Sequence, residues 1–196
     1  MRHEVTIETA GVRLRPVRKE DAPFILSLRT DPALSRFLHP VSGDLAAQLN
    51  WMEAYFERPG DLYFIVERAR TGTSVGTIAL VDVGLRGRTA EWGRWILTPG
   101  SMAAVPSALL IYRIAFDVLG LDEVYCDTVA DNGQVVSFHD SCGLERVATL
   151  VEHFRLGGAA YDAVRHSLVR GRWPAVESML APKAERIDQL MKRSRR

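Results

Sequence analysis

The stretch AEWGRWILTPGSMAAVPSALLIYRIAF, residues 90–116, combines a strand, a short loop and a helix. The loop, residues 100–104, holds only small or uncharged side chains. Small residues let a ligand approach the backbone closely, and the first amides of a helix lack intrahelical partners and are free to bind an anion. Pro106 suits the first turn of the helix, because its missing N–H would be unpaired there anyway. The stretch therefore predicts a phosphate-binding loop or, alternatively, a plain strand-to-helix turn.

Composition limits the class of protein. The chain has 196 residues, 47% of them apolar, which fits one domain of ordinary size with a substantial core. The formal net charge is +1, which argues against a dedicated nucleic-acid binder. Cys126 and Cys142 form no CxxC pair, so the sequence supports neither a disulfide framework nor a metal site.

The sequence also bears on location. Its first residues, MRHEVTIETAG, lack the apolar segment of a signal peptide. The longest apolar run, residues 103–121, contains Pro106, Arg113 and Asp117 and is too short and too polar to span a bilayer. We therefore expect a cytoplasmic protein with no membrane partner.

Periodicity and turn residues predict the order of the elements. Alternation, helical spacing and Gly- or Pro-marked turns give β-α-α-β-β-β-α-β-α-β-β. The first strand is VTIETAGVRLRPV, residues 5–17, and the last two strands form a hairpin that turns at Gly157-Gly158. RGRWP, residues 170–174, has the composition of a boundary. We therefore divide the chain into a domain of residues 1–172 and a basic helical extension of residues 173–196.

The extension carries a charge of its own. Residues 181–196 contain six Lys or Arg and two Asp or Glu, a net +4, which leaves −3 for the rest of the chain. Pro182 separates two apolar sets, which predicts two short amphipathic helices: Val176, Met179 and Leu180, then Ile187, Leu190 and Met191. Such helices need a surface to pack on. The domain itself, a second copy of the chain in a homodimer, and an anionic partner all remain open.

Residues 10–170 resemble the GNAT family of acetyl-CoA-dependent N-acetyltransferases. Four segments carry the resemblance: VRLRPVRKEDAPFI, AEWG, ALLIYRIAFDVLGLDEV and VADNGQVVSFHDSCGLERV. The resemblance implies an α/β fold with a splayed central mixed sheet flanked by helices. It also implies acetyl-CoA as co-substrate, no metal, and direct attack of a primary amine on the thioester. LRTDPALSRFL and AEWG look closest to acetyltransferases of nucleotide-linked amino sugars of the pseudaminic acid pathway type, and ribosomal-protein N-acetyltransferases share much of the pattern.

The resemblance implies where the co-substrate binds. The strand and loop after Glu91 would hold it through backbone groups, with an amide near Trp95 to Leu97 for the thioester oxygen. The full set that this predicts is Trp95, Ile96, Leu97, Thr98, Gly100, Ser101, Met102, Ala103, Ala104, Val105 and Asn132. The loop departs from the family pattern, since it has one glycine and no basic residue. Asn132 is also a common type of helix N-cap, and both roles are compatible.

Two residues are candidates for proton transfer. Glu91 lies among apolar and aromatic neighbours, which raise a carboxyl pKa and suit a general base; alternatively it is a surface carboxylate beside Arg88 or Arg94. His139 follows Asn132 by seven positions, where the family often has a tyrosine that serves as general acid. Histidine titrates near ~6.5 and can serve as acid or base. Alternatively, His139 is a helix residue bonded to Asp140.

Substrate-binding candidates flank the same strand. Strict alternation would place Glu91 and Trp95 on one face and Trp92 on the other. We assign Arg29, Phe37, His39 and Trp92 to the acceptor side. Arg29 suits a diphosphate because its planar fork binds two oxygens, although such an arginine is often a solvated helix charge.

The sequence therefore predicts an N-acetyltransferase that acts on a small-molecule amine. We expect a nucleotide-linked amino sugar as acceptor, with a protein N-terminus as the alternative. The atypical loop and the missing tyrosine leave a third hypothesis open, a degenerate domain that binds a ligand without catalysis.

Overall fold

The computed structural model describes residues 3–193, which form eight strands and six helices. The strands are β1 (Ile7–Thr9), β2 (Val12–Pro16), β3 (Leu62–Arg68), β4 (Thr73–Val81), β5 (Thr89–Leu97), β6 (Glu123–Val129), β7 (Glu145–Leu156) and β8 (Ala159–Val169). The helices are α1 (Ala22–Thr30), α2 (Pro32–Ser35), α3 (Leu45–Glu57), α4 (Ala104–Arg113), α5 (Gly133–Ser141) and α6 (Trp173–Arg193), and a π-helical turn, Ile114–Val118, extends α4.

One sheet contains all of these strands, in the order β1-β2-β3-β4-β5-β6-β8-β7. Neighbours are antiparallel except β5 and β6. α4 connects these two strands, and a helical crossover is the connection that parallel strands require. The mixed sheet flanked by helices confirms the predicted fold class.

The first predicted strand is a hairpin rather than one continuous strand. β1 and β2 pair with each other through a turn at Ala10 and Gly11, where φ is 48° and 73°. Alternation alone does not reveal this turn, because the apolar positions keep their period of two on either side of it.

Helices cover both faces of the sheet. α1 and α3 pack on one face, where Ile25, Met52 and Tyr55 meet Tyr63 and Ile65. α4 and α6 cover the other face, where their buried side chains join Phe64, Ile78, Leu80 and Trp92 in a single cluster. We call the first the α1/α3 face and the second the α4/α6 face.

The C-terminal segment is one helix, not the predicted two. α6 continues through Pro182, and Val176, Leu180 and Ala184 are buried in the cluster of the α4/α6 face. Of the three surfaces that remained open, the described chain shows contact with the domain itself. The division at residue 172, the homodimer and the anionic partner stay proposals.

Candidate active site

β5 and β6 diverge at the centre of the sheet. They pair only at Thr89↔Glu123, Ala90↔Val124 and Glu91↔Tyr125. Beyond these pairs β5 stays bonded to β4 on one side and β6 to β8 on the other. Each strand therefore has one edge that faces the gap between them, along residues 92–97 and 126–129. Such edges carry backbone N–H and C=O groups that can pair with an extended ligand.

A bulge in β5 accompanies the divergence. Gly93 pairs with Ala79 and Ile96 pairs with Thr77, so that two residues, Arg94 and Trp95, lie opposite the single residue between those partners. Arg94 has φ 50°, an unusual value for a residue with a side chain. A bulge bends the strand that carries it, which here directs β5 away from β6.

The bulge also changes which side chains share a face. The Trp92 and Trp95 rings lie 5.4 Å apart, and both pack on the α4/α6 face. Arg94 points to the α1/α3 face, where its guanidinium lies over the rings of Trp51 and Tyr63. The expectation that Glu91 and Trp95 share a face is therefore wrong, because the extra residue reverses the alternation after Gly93.

A cavity of about 140 Å³ occupies the gap. Predicted residues that line it are Phe37, Trp92, Trp95, Asn132 and His139, and further lining residues are Leu38, Gly93, Arg94, Cys126, Asp127, Thr128, Val129, Val135 and Phe154. The cavity thus lies between the two free strand edges, with α5 at one side. Phe37 and Phe154 bring the loop after α2 and the β7–β8 hairpin to it.

The loop between β5 and α4 is a turn followed by an uncapped helix. Ser101 N–H donates to the Thr98 carbonyl at 3.0 Å, and Gly100 has φ 73°, as the third residue of a type II turn requires. The first helical residue is Ala104, and Ala103 before it offers no side-chain cap. The leading amides of α4 therefore lack the partner that an N-cap usually supplies.

Glu91 lies beside the cavity without lining it. Its Oε1 is 3.5 Å from the position that a Cβ on Gly93 would occupy. Burial raises the pKa of Glu91, and the nearby Asp127 and Asp82 carboxylates raise it further. A carboxylate in this setting retains a proton more readily than an exposed one and is a stronger base when ionised.

His139 is buried among aromatic rings at the cavity wall. Only 3% of it is exposed, and its ring lies 4.8 Å from Trp92 and 5.3 Å from His166. Burial, with the neighbouring His166, lowers the pKa of His139 to about 3. The side chain is therefore neutral at physiological pH, so it can donate or accept a hydrogen bond but does not carry the extra proton of an imidazolium acid.

Two arginines lie on the α1/α3 side of the sheet: Arg94, which lines the cavity, and Arg29, which does not. Arg94 donates from Nη2 to Asp61 at 2.9 Å, while its Nη1 is buried without a partner. Arg29 donates from Nη2 to the His39 carbonyl at 3.0 Å, and its Nε is likewise buried and unpartnered. Burial lowers the pKa of Arg29, and the charge of Arg94 lowers it further. Two cationic groups with unused donors favour an anion between or beside them.

The other predicted residues are His39, Asn132 and the co-substrate segment. The His39 ring is 6.5 Å from the Phe154 ring, edge-on, and His39 does not line the cavity. Asn132 caps α5, since its Oδ1 accepts from Val135 N–H at 3.5 Å. The co-substrate set from Ile96 to Val105 continues from the cavity along the end of β5 to the start of α4. These roles stay predictions.

Sequence reasoning missed several residues that the fold brings to the site. Arg94 was interpreted as a charge neighbour of Glu91, because no pattern marks the bulge. Phe154 and His166 come from the hairpin and looked like ordinary strand residues. Asp61 pairs with Arg94 across the sheet, a contact that only the strand register reveals.

Between residues 3 and 193, no helix is both long and apolar enough to cross a membrane. In the same range, no three His, Cys, Asp or Glu side chains form a group able to hold a metal ion.

A family model described as an acetyltransferase (GNAT) domain matches residues 12–145. No curated protein matches the chain. Among solved structures, FdhC, described as a nucleotide-linked sugar GNAT, is 26% identical, with 91% of this chain and 98% of that chain covered and a TM-score of 0.77. A protein from T. thermophilus to which acetyltransferase activity is ascribed is also 26% identical, with 91% and 96% covered and a TM-score of 0.78.

A more distant match is a mutant form of the spermidine N-acetyltransferase SpeG from Vibrio cholerae. It is 20% identical, with 84% of this chain and 97% of that chain covered and a TM-score of 0.74. At this identity the likeness shows the fold alone.

Proposed function

Because the chain belongs to the GNAT family of acetyltransferases, we propose that it transfers the acetyl group of acetyl-CoA to the amine of a nucleotide-linked amino sugar. The observation that carries the proposal is the gap between β5 and β6. It presents free backbone edges and the Arg94 side chain around one cavity, and β5 leads from this cavity to the uncapped start of α4. Each of these features matches a different part of the two substrates.

The backbone of β5 and the start of α4 suit acetyl-CoA. The pantetheine arm of acetyl-CoA contains two amide groups, which can pair with the free edge of β5 as an added strand would. The pyrophosphate suits the leading amides of α4, because the positive end of the helix dipole favours anions. The absence of a side-chain cap at Ala103 leaves these amides available.

The unused donors of the two arginines on the α1/α3 side favour an anionic acceptor. Arg94 and Arg29 hold unused N–H donors on the α1/α3 side. A nucleoside diphosphate carries oxygens that such donors bind, whereas a polyamine carries cations that they repel. The similarity of FdhC to this chain supports the same class of acceptor. Spermidine, the substrate named for SpeG, fits this electrostatic arrangement poorly.

Transfer requires that the amine lose a proton and that the sulfur gain one. In the proposed mechanism, ionised Glu91 accepts the amine proton, and a β5 amide near Trp95 to Leu97 stabilises the oxyanion. Neutral His139 donates a hydrogen bond to the departing sulfur. The nitrogen–carbon bond forms as the carbon–sulfur bond breaks, with no covalent enzyme intermediate.

Ala104→Glu tests the proposed pyrophosphate site. A carboxylate at this position would repel phosphates, yet an acidic residue in the first turn stabilises a helix, so the fold should persist. We expect acetyl-CoA affinity to fall about tenfold or more, since ~1.4 kcal/mol of repulsion suffices for that change. Calorimetric titration with acetyl-CoA measures it. Ala104→Gln is the matched control and should bind nearly as the wild type does; equal affinity in both variants would exclude the site.

Arg94→Lys tests the acceptor class. Lysine keeps a positive charge beside Asp61 but loses the planar fork. We expect the KM for a nucleoside-diphosphate amino sugar to rise roughly tenfold, in line with ~1.5–3 kcal/mol for a hydrogen bond to a charged group, and the KM for acetyl-CoA to stay constant. The free amino sugar, without the diphosphate, should show no change between variant and wild type. A similar rise in KM with both sugars would contradict the diphosphate contact.

A thiol-release assay with a panel of amines tests the function itself. The panel contains a nucleoside-diphosphate amino sugar, spermidine and a peptide with a free N-terminus. We expect the highest turnover with the nucleoside-diphosphate amino sugar. Preference for the peptide would support the ribosomal-protein type of enzyme, and absence of acetyl-CoA binding in calorimetry would support a non-catalytic domain.

A further inference from the structure

Behind His139 lies a chain of polar groups that reaches the surface. His166, on β8, is fully buried, and its Nε2 lies 3.1 Å from Asp140 Oδ1. Asp140 follows His139 on α5 and binds Arg146, whose Nε donates to Oδ1 at 2.8 Å and whose Nη2 contacts Oδ2. The Asp140 side chain is 37% exposed. These polar groups thus lead from the cavity through two buried rings to solvent.

Each of the two histidines has a buried ring nitrogen without a hydrogen-bond partner. The Nδ1 atoms of both His139 and His166 are buried without a hydrogen-bond partner. Their ring centroids lie 5.3 Å apart with an interplanar angle of 45°. Since each nitrogen lies about 1.1 Å from its ring centre, a rotation of the rings can bring two nitrogens to about 3 Å, the length of an N–H···N hydrogen bond. Buried polar atoms without partners are uncommon in folded proteins, and a hydrogen bond between these two would satisfy both at once.

We propose that His166 and Asp140 are positioning residues that hold His139 with its Nε2–H directed into the cavity and resupply that proton after transfer. The inference rests on the proposed function. Asp140 accepts from His166 Nε2–H, which leaves His166 Nδ1 to face His139. His139 then uses Nδ1 as acceptor and Nε2 as donor, the tautomer that a departing sulfur requires.

The protons balance as follows. His139 gives its Nε2 proton to the thiolate of the leaving coenzyme A and takes one at Nδ1 from His166, which begins with a proton on each nitrogen because it donates both to Asp140 and to His139. His166 is then neutral and keeps its Nε2–H on Asp140. Once coenzyme A has left, water in the open cavity protonates His139 at Nε2 and the Nδ1 proton returns to His166, while the proton from the amine leaves through Glu91. Both rings are then in their starting states, and no group changes oxidation state.

The groups around His166 are consistent with this role. Asp140 of α5 and Arg146 of β7 are the charged side chains against it, and Cys126 of β6 is its partner in the strand register. Burial raises the pKa of the Cys126 thiol, so Cys126 stays neutral. Arg146 holds the pKa of Asp140 below its usual range, so the carboxylate stays ionised for His166.

Asp140→Asn and His166→Gln test the proposal in the full-length protein. We expect kcat to fall about 10- to 100-fold, within the range of a lost proton-transfer partner, with the KM values for both substrates nearly unchanged. The pH profile of kcat should differ from that of the wild type, because His139 is no longer held in one orientation. Asp140→Glu should restore part of kcat. Glu145→Gln is the matched control, since it removes a neighbouring carboxylate paired with Arg172 and should leave kcat and its pH profile as in the wild type.

A spectroscopic readout separates this proposal from the proposed function. In ¹⁵N-histidine-labelled protein, a His139→Gln variant assigns the His139 signals, and nitrogen chemical shifts distinguish the two tautomers. We expect the tautomer of His139 with Nε2–H in the wild type and a mixture of its two tautomers in Asp140→Asn. A wild-type tautomer and pH profile in both variants would overturn the relay while leaving acetyl transfer intact. Failure of the wild type to transfer acetyl groups would instead overturn the proposed function.

Discussion

A chain that ends at Pro174 is expected to lose its cooperative fold. The deleted helix α6 contributes Val176, Leu180 and Ala184 to the cluster of the α4/α6 face, where their exposed fractions are 4%, 0% and 0%. Truncating one buried leucine to alanine costs about 2–5 kcal/mol, and a whole domain is stable by only about 5–15 kcal/mol. Loss of the helix therefore removes most or all of the net stability. Circular dichroism and thermal unfolding of the truncated chain measure this.

Single substitutions make the truncation experiment interpretable. Leu180→Ala should lower the free energy of unfolding by about 2–5 kcal/mol, whereas Leu190→Ala, at a side chain that is 46% exposed, should change it by less than about 0.5 kcal/mol. Solution mass shows whether the helix also joins two copies of the chain. A truncated chain that melts cooperatively and transfers acetyl groups normally would support the separate extension of residues 173–196.

Pro182 shows why the sequence predicts two short helices where the structure has one. Proline inside a helix removes one backbone hydrogen bond and clashes with the preceding turn, at a cost of about 3 kcal/mol. This cost predicts a break. Leu180 and Ala184 on either side of it are fully buried against the sheet and α4, however. Burial on both sides outweighs the local penalty, and local propensity alone contains no information about such packing.

The bulge in β5 limits sequence prediction of the site in the same way. The order β5–α4–β6 follows from alternation, Pro106 and Gly120, and the splay at the centre of the sheet was implied by the family resemblance. The side-chain directions after Gly93 do not follow, since one extra residue reverses them. Trp92, Trp95 and His139 were predicted at the site and line the cavity, whereas Arg94 was missed because its position depends on the bulge.

The raised pKa of Glu91 follows in part from the sequence, and the structure adds a second cause. A glutamate between Ala90 and Trp92 was expected to be partly desolvated, and burial does raise its pKa. The sequence did not reveal the carboxylates of Asp127 and Asp82, which raise the pKa further. Asp127 comes from β6, and only the parallel pairing of β5 with β6 brings it near. Both effects act in the same direction.

Glu91→Gln is expected to lower kcat roughly 10²- to 10⁴-fold, the usual contribution of a general base. Glutamine keeps the size of the side chain but accepts no proton. The wild type should lose kcat/KM as the pH falls through the pKa of Glu91, because the protonated carboxyl is not a base. That acid limb should lie above about 4.3, the ordinary value for glutamate, since burial and the neighbouring carboxylates raise the pKa.

The pH profile of the variant separates base catalysis from a change in structure. Glu91→Gln should lack the acid limb, while calorimetric binding of acetyl-CoA stays near the wild-type value. Glu53→Gln is the matched control: the same substitution at an exposed carboxylate that pairs with Lys19 should alter neither kcat nor the limb. If Glu91→Gln kept the wild-type limb and turnover, another group would have to take the amine proton. Asp127, which lines the cavity and pairs with Arg165 at 2.7 Å, would then be the next carboxylate to test by the same substitution to the amide.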